Sequence, residues 1–266
     1  MGTASHQPAR AKERNQPMKR HAVVISNPGE AGAENYCAGV LKDVQNYRSF
    51  LLSAIGGSWR ESEIEEMSRP SAAEVRLKVT GLPASDYVLL IFSGHGWHST
   101  YLDSTVLELR KGQEIDSAEL RLAEARQTLI LDCCREKHPG VPEVIELREM
   151  FAKAASRFDP EECRRYYNKR IRECSAELVV MYACSADQRA ADNDQKGGVY
   201  SYALLETSKD WADNSMVDTS SSYRIRSVVE AHEATEPPIR RLRGTRQTPH
   251  IEKPRTGPYY PFCIVA

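Results

Sequence analysis

A chain of 266 residues is long enough to bury one sizeable core. With 27% charged and 41% apolar residues it has ordinary globular composition, which excludes a fibrous or wholly disordered chain. A formal net charge of −1 gives no basic surface for nucleic acid or an anionic membrane.

No apolar run approaches the roughly 20 residues that span a bilayer, and no N-terminal apolar stretch reads as a signal peptide. The seven cysteines are odd in number and show no CxxC pairing. That argues against a disulfide framework, and Cys163 and Cys174 are too isolated for a zinc site. The expected setting is cytoplasmic.

Residues 1–19 are polar, lack apolar periodicity and read as a flexible arm. His21-Ala22-Val23-Val24-Ile25 is a short strand closed by the turn Asn27-Pro28-Gly29. Tyr36, Val40, Val44, Tyr47, Leu51 and Ile55 recur at helical spacing, with Gly56-Gly57 as the stop. A short strand follows, then a helix opened by Pro70-Ser71 that carries Val75, Val79 and Leu82 on one face. The apolar run Val88-Leu89-Leu90-Ile91-Phe92 is the next strand. Strands alternating with helices predict a doubly wound α/β domain with mostly parallel pairing and helices on both faces.

Thr105 to Leu109 before Lys111-Gly112 predicts a hairpin off the main sheet, and Asp116 or Ser117 should cap a short helix reaching Ala125. Thr128-Leu129-Ile130-Leu131 is a buried strand. Residues 143–175 form a charge-rich connector, broken at Asp159-Pro160 where Pro160 suits a helix N1 position. Residues 177–183 form a further strand, Val199 begins a helix, and residues 223–233 read as another. The tail is rich in Pro and Gly and ends in Pro261-Phe262-Cys263-Ile264-Val265.

In open parallel sheets, reactive groups gather where loops leave the carboxyl ends of strands. Three strand ends qualify: those before His95, before Cys134 and before Asp187. Gly94 and Gly96 flank His95, which could accept a thiol proton and return it to a leaving amine. The backbone amides near Gly96 and Cys134 would suit an oxyanion. Cys133 and Cys134 are adjacent and diverge on an extended strand end, so geometry alone does not choose between them.

Phe92-Ser93-Gly94-His95-Gly96, Asp132-Cys133-Cys134-Arg135, the loop from Cys184 through Asp187-Gln188 to Asp192, and Gln247-Thr248-Pro249 together resemble the caspase-like cysteine peptidases. The resemblance is greatest to the metacaspase and bacterial branch and covers the chain from about residue 19. It implies a caspase-like fold over residues 20–266, with a large-subunit-like part (20–142), the connector and a small-subunit-like part (176–266). It makes Cys134 the nucleophile and His95 its partner, with no organic cofactor.

Caspases that cut after aspartate carry Gln two positions before the nucleophile. Here that position is Asp132, and the metacaspase branch prefers Arg or Lys. Asp132 and Asp187 are therefore expected to line a pocket for a basic side chain, since carboxylates select a cation and pair with Arg bidentately. The substrate is then a protein or peptide, with a regulatory protein partner and self-cleavage in the connector as further expectations. Calcium stays open through Glu114, Asp116 and Asp192 to Asp194, and no metal site is assigned. Glu136 departs from the Gly or Ser usual after the Cys-Arg or Cys-His pair. A silent caspase-like scaffold and a different cysteine amidase or hydrolase are the alternatives.

Overall fold

The computed structural model describes residues 18–136, 143–144, 158–215, 222–242 and 244–266. The expected arm and the interior of the connector lie outside these residues, apart from Met18 and Lys19 and the helix beginning at Pro160. In chain order the elements are β1 (Arg20–Asn27), α1 (Gly39–Leu52), β2 (Ile64–Ser68), α2 (Ala72–Gly81), β3 (Tyr87–Gly94), β4 (Gly96–Ser99), β5 (Ser104–Arg110) and β6 (Gln113–Asp116). They continue as β7 (Gln127–Asp132), β8 (Glu143–Val144), α3 (Pro160–Glu173), β9 (Leu178–Tyr182), β10 (Ala191–Asp192) and α4 (Val199–Asn214). Last come β11 (Arg224–Ser227), α5 (Val228–Glu233), α6 (Glu236–Arg240), β12 (His250–Glu252) and β13 (Pro261–Val265).

Six strands form the main sheet in the order β12-β9-β7-β3-β1-β2. All its pairings are parallel except that of β12 with β9. β3 and β7 are central and buried on both faces, which is why they read as unbroken apolar runs rather than alternating ones. Side chains still divide by parity. Leu89, Ile91, Ile130 and Met181 join the core that packs α1, α3, α4 and α5 on one face. Leu90, Phe92, Leu129, Leu131 and Tyr182 join a second core with Val75 of α2 and Leu107, Leu109 and Ile115 of the β4-β5-β6 sheet. The same parity sends Asp132 toward the α1 and α4 face, while Cys133 is buried in the second core.

Local signals set several boundaries. Ser71 and Glu74 form a reciprocal cap at the start of α2. Asp159 accepts from Glu162 N at 2.9 Å, with Pro160 in the first turn of α3. Two expectations are corrected. The helix expected from Asp116 or Ser117 to Ala125 is a single 3-10 turn, Ser117–Leu120, capped by Asp116. It stops there because Gln127 takes the Leu122 N–H at 2.8 Å.

Residues 223–233 do not start as a helix either. Arg224–Ser227 pairs antiparallel with β13, and the helix begins only after Ser227, whose side chain and that of Glu230 form a capping box. The terminal apolar run pairs with β11 and not with the main sheet, whose edge is the short β12. Among the described residues no helix is long and apolar enough to cross a membrane.

Candidate active site

β3 and β7 lie side by side in register, Phe92 opposite Leu131 and Ser93 opposite Asp132. Their carboxyl ends therefore deliver His95 and Cys134 to the same edge of the sheet. The glycines around His95 are there for space. A Cβ at Gly94 would lie 2.6 Å from the Asn27 carbonyl oxygen, and one at Gly96 would lie 2.8 Å from Cys133 Sγ. The close seat of Cys133 against Gly96 binds the histidine loop to the end of the strand that delivers Cys134.

His95 and Cys134 line one cavity of about 30 Å³, together with Cys37, Asp43, Asp132 and Asp192. That volume is room for about one or two waters. His95 Nε2 is buried and makes no hydrogen bond, and the Cys134 thiol donates instead to the Ala190 carbonyl at 3.6 Å. Burial, with the Glu136 and Asp132 carboxylates behind it, pushes the Cys134 thiol up to about 11; the Ala190 contact and the Arg189 cation work the other way. The resting thiol is thus protonated and held off the imidazole.

Three carboxylates converge on the cavity. Asp132 Oδ2 accepts from the backbone N–H of Ser201 at 3.0 Å and from its hydroxyl at 2.6 Å. Asp43, on the core face of α1, accepts from Ser93 Oγ at 2.6 Å and from Gly198 N at 2.9 Å. Asp192, in β10, accepts from Gly39 N at 3.2 Å. All three are raised above the ordinary carboxylate range by burial first, and Asp43 also by its neighbour Asp132. No Lys or Arg lines the cavity. Neutral donors satisfy the oxygens, and His95 faces Asp192, yet no Lys or Arg among the described residues balances the charge.

The wall holding Ala190 and Asp192 is fastened from behind. Gln247 accepts from Ala191 N at 3.0 Å and donates to the Ala183 carbonyl at 2.9 Å, which gives the Gln-Thr-Pro segment its structural role. β10 also pairs with β8, the short strand that follows the Cys134 loop in the chain. Arg135 is buried, stacks over Tyr182 at 4.0 Å and donates to Thr105 Oγ1 and the Cys184 carbonyl.

Of the sequence-expected residues, His95, Cys134 and Asp132 meet at the cavity. Gly96 sits just behind it, against Cys133. Asp187 does not line it: it is exposed, in a turn with φ +64, and its N–H donates to the Arg135 carbonyl. Asp43, Cys37 and Ser201 went unremarked in the sequence. Asp43 could have been found there, because with Val40 and Tyr47 it falls at core spacing in an amphipathic helix, where an acid is out of place. Among the described residues no group of three or more His, Cys, Asp or Glu side chains is placed to hold a metal ion, and Asp116 is engaged by Ser104 and Ala118 N.

No curated protein matches the chain in a sequence search. Among solved structures, the fold is similar to caspase-1 from Spodoptera frugiperda, with a TM-score of 0.55 over 90% of each chain at 12% identity. That likeness shows the caspase-like α/β fold. The family model described as caspase domain matches residues 19–260. The chain belongs to the caspase-domain family of cysteine peptidases.

Proposed function

We propose that this protein is an endopeptidase of the metacaspase-like kind that cuts protein chains after Arg or Lys. The observation that carries the reading is the cavity beside Cys134 and His95, lined by Asp43, Asp132 and Asp192 and, among the described residues, by no Lys or Arg. A guanidinium entering it would neutralise a charge surplus that the fold leaves uncompensated, and would pair with carboxylates whose geometry is already held by Ser93, Ser201 and backbone amides.

In the reaction, the Cys134 thiol leaves Ala190 O, passes its proton to His95 and attacks the scissile carbonyl. Amides of the Gly96 and Cys134 loops receive the oxyanion, His95 protonates the departing amine, and water then hydrolyses the thioester. The cavity is too small for an arginine side chain as it stands, so substrate binding has to open the wall from Ala190 to Asp192. That same movement frees the thiol, because Ala190 O is its resting partner. All seven cysteines are free, which suits a reducing compartment such as the cytoplasm.

The test is a set of fluorogenic peptides ending in Arg, Lys or Asp, with Cys134→Ala as control. Cleavage after Arg or Lys that vanishes in the variant supports the reading; preference for Asp ends the specificity assignment. The protonated thiol resting on Ala190 O favours one other reading, a silent scaffold, and failure of a peptide-based acyl electrophile to label Cys134 would support it. Self-cleavage in the connector would appear as fragments that Cys134→Ala does not produce.

A further inference from the structure

The Cys-Arg pair is followed by Glu136, which neither the acidic pocket nor the Cys134–His95 chemistry uses. Its carboxylate accepts from Arg189 Nε at 2.7 Å, both side chains being partly exposed. Arg189 immediately precedes Ala190, the thiol's resting partner, and lies three residues before Asp192 of the pocket wall. The bridge does not stand alone. The backbones of the two loops are laced by Arg135 N to Gln188 O and by Asp187 N to Arg135 O, both 2.9 Å. Glu136 O in turn accepts from His98 N at 2.9 Å, in the strand that follows His95. Glu136 thus touches both the histidine side and the pocket side of the cleft through one residue.

We propose that Glu136 and Arg189 are a positioning pair, which fixes the distance between the nucleophile loop and the wall of the basic-residue pocket and keeps the charge beside Cys134 balanced. The proposal rests on the reading of Cys134 as the reactive thiol. Glu136 disfavours the Cys134 thiolate and Arg189 favours it. Several other titratable groups face this thiol. They include Asp132 at the end of β7, His95 from the β3 loop, Asp43 of α1, Asp192 from the wall, Cys184 after β9 and Cys37 from the loop before α1. None of these changes when the pair is altered.

Opposite members of a balanced pair must therefore act in opposite directions. The measurement is the pH dependence of alkylation at Cys134 by iodoacetamide, a small neutral probe, read by mass spectrometry in the full chain. Glu136→Gln should move the midpoint down by about half a pH unit or more, and Arg189→Gln should move it up by a similar amount. The double variant should return close to the parent. Each single variant should also lower kcat/KM on an Arg peptide, about threefold to tenfold, with charge-swapped E136R/R189E recovering part of the loss.

A pair that served only to hold the fold would lower the melting temperature without splitting the two midpoints. Shifts in the same direction, or no shift in either variant, overturn the proposal. Alkylation needs no turnover, so the outcome stands apart from the peptidase reading. If Cys134→Ala still cleaves peptides, that reading fails while the midpoints still judge the bridge.

Discussion

Two buried charge clusters sit on the same face of the main sheet and are solved in opposite ways. At the amino end of the strands, Glu63 is held by Arg164 at 2.5 and 2.9 Å and by Arg20 at 3.1 Å, with Arg60 N adding a fourth donor. Arg20 lies over Trp59 at 4.3 Å, and both arginines also donate to the Ser58 carbonyl. At the carboxyl end, Asp43, Asp132 and Asp192 share a cavity that no Lys or Arg among the described residues lines.

Burial works to raise Glu63 as well, but the Arg164 hydrogen bonds and the Arg20 charge outweigh it and hold the carboxyl down at about 2. In the pocket nothing outweighs burial, and the carboxyls rise. The difference teaches where to look for function. A cluster whose charges close within the chain holds the chain together, and one that leaves a surplus of one sign waits for a partner.

The largest effect should come from opening the closed cluster. Glu63→Ala leaves two buried guanidinium groups facing each other, which costs about 3–5 kcal/mol. Denaturant melts should show that loss directly. Because Glu63 touches nothing in the cavity, the protein that remains folded at low temperature should keep its Cys134 alkylation profile.

Neutralising the open cluster should do the reverse. Asn at position 132 keeps an oxygen for both Ser201 donors and removes one of the like charges. Asp132→Asn should therefore melt no lower than the parent, while kcat/KM for an Arg peptide falls about 100-fold, the expected scale for losing one partner of a buried charge pair. A variant that loses stability and activity together would erase the distinction between the clusters.

Acid titration sharpens the same contrast. Glu63 has a depressed carboxyl, so its stabilisation is complete above the ordinary range near 4.3 and is lost as pH falls toward about 2. Asp43 and Asp132 have raised carboxyls, so they bind protons in the folded state before the unfolded chain does. Their contribution to stability is fully present below the ordinary carboxylate range and declines as pH rises through their folded values. These carboxyls should therefore contribute a rise in stability on mild acidification from neutrality toward about 4, and Glu63 a fall on further acidification. His232 opposes that rise over the same range, because burial holds it down at about 4 and it resists taking up its proton. In Asp132→Asn the first rise should shrink, and in Glu63→Gln the later fall should shrink. Urea unfolding across the pH range measures both.

The sequence revealed what is local. β3 and β7 show because each is a self-contained apolar run, and their ends show His95 and Cys134 because loops begin there. What it hid depends on distant partners. β11 and β12 are short and gain their identity only from β13 and β9, so residues 223–226 carried a helical reading and 250–252 were passed over as tail. The pocket was half legible for the same reason: Asp132 stands two residues before Cys134 in sequence, whereas Asp43 arrives from α1, far earlier in the chain. Asp187 failed to join it because its left-handed turn puts it on the outside of the loop, three residues before the wall proper. Glu136, a departure with no partner visible in sequence, acquires one only when the two loops meet.

The smallest effect tests which cysteine matters. Cys133 has the parity of Leu129 and Leu131, so its thiol faces the second core, where it fills the space against Gly96. Cys133→Ala removes one buried sulfur from a packed site and should cost about 1 kcal/mol. It should leave peptide cleavage within about threefold, since the thiol that borders the cavity wall at Ala190 is that of Cys134. The small loss would fall under the histidine loop, so any kinetic trace of it belongs in kcat rather than KM. If instead Cys133→Ala abolished labelling by an acyl electrophile and Cys134→Ala retained it, the strand would be delivering the other thiol, and the parity argument that separates the two faces of β7 would fail at its last residue.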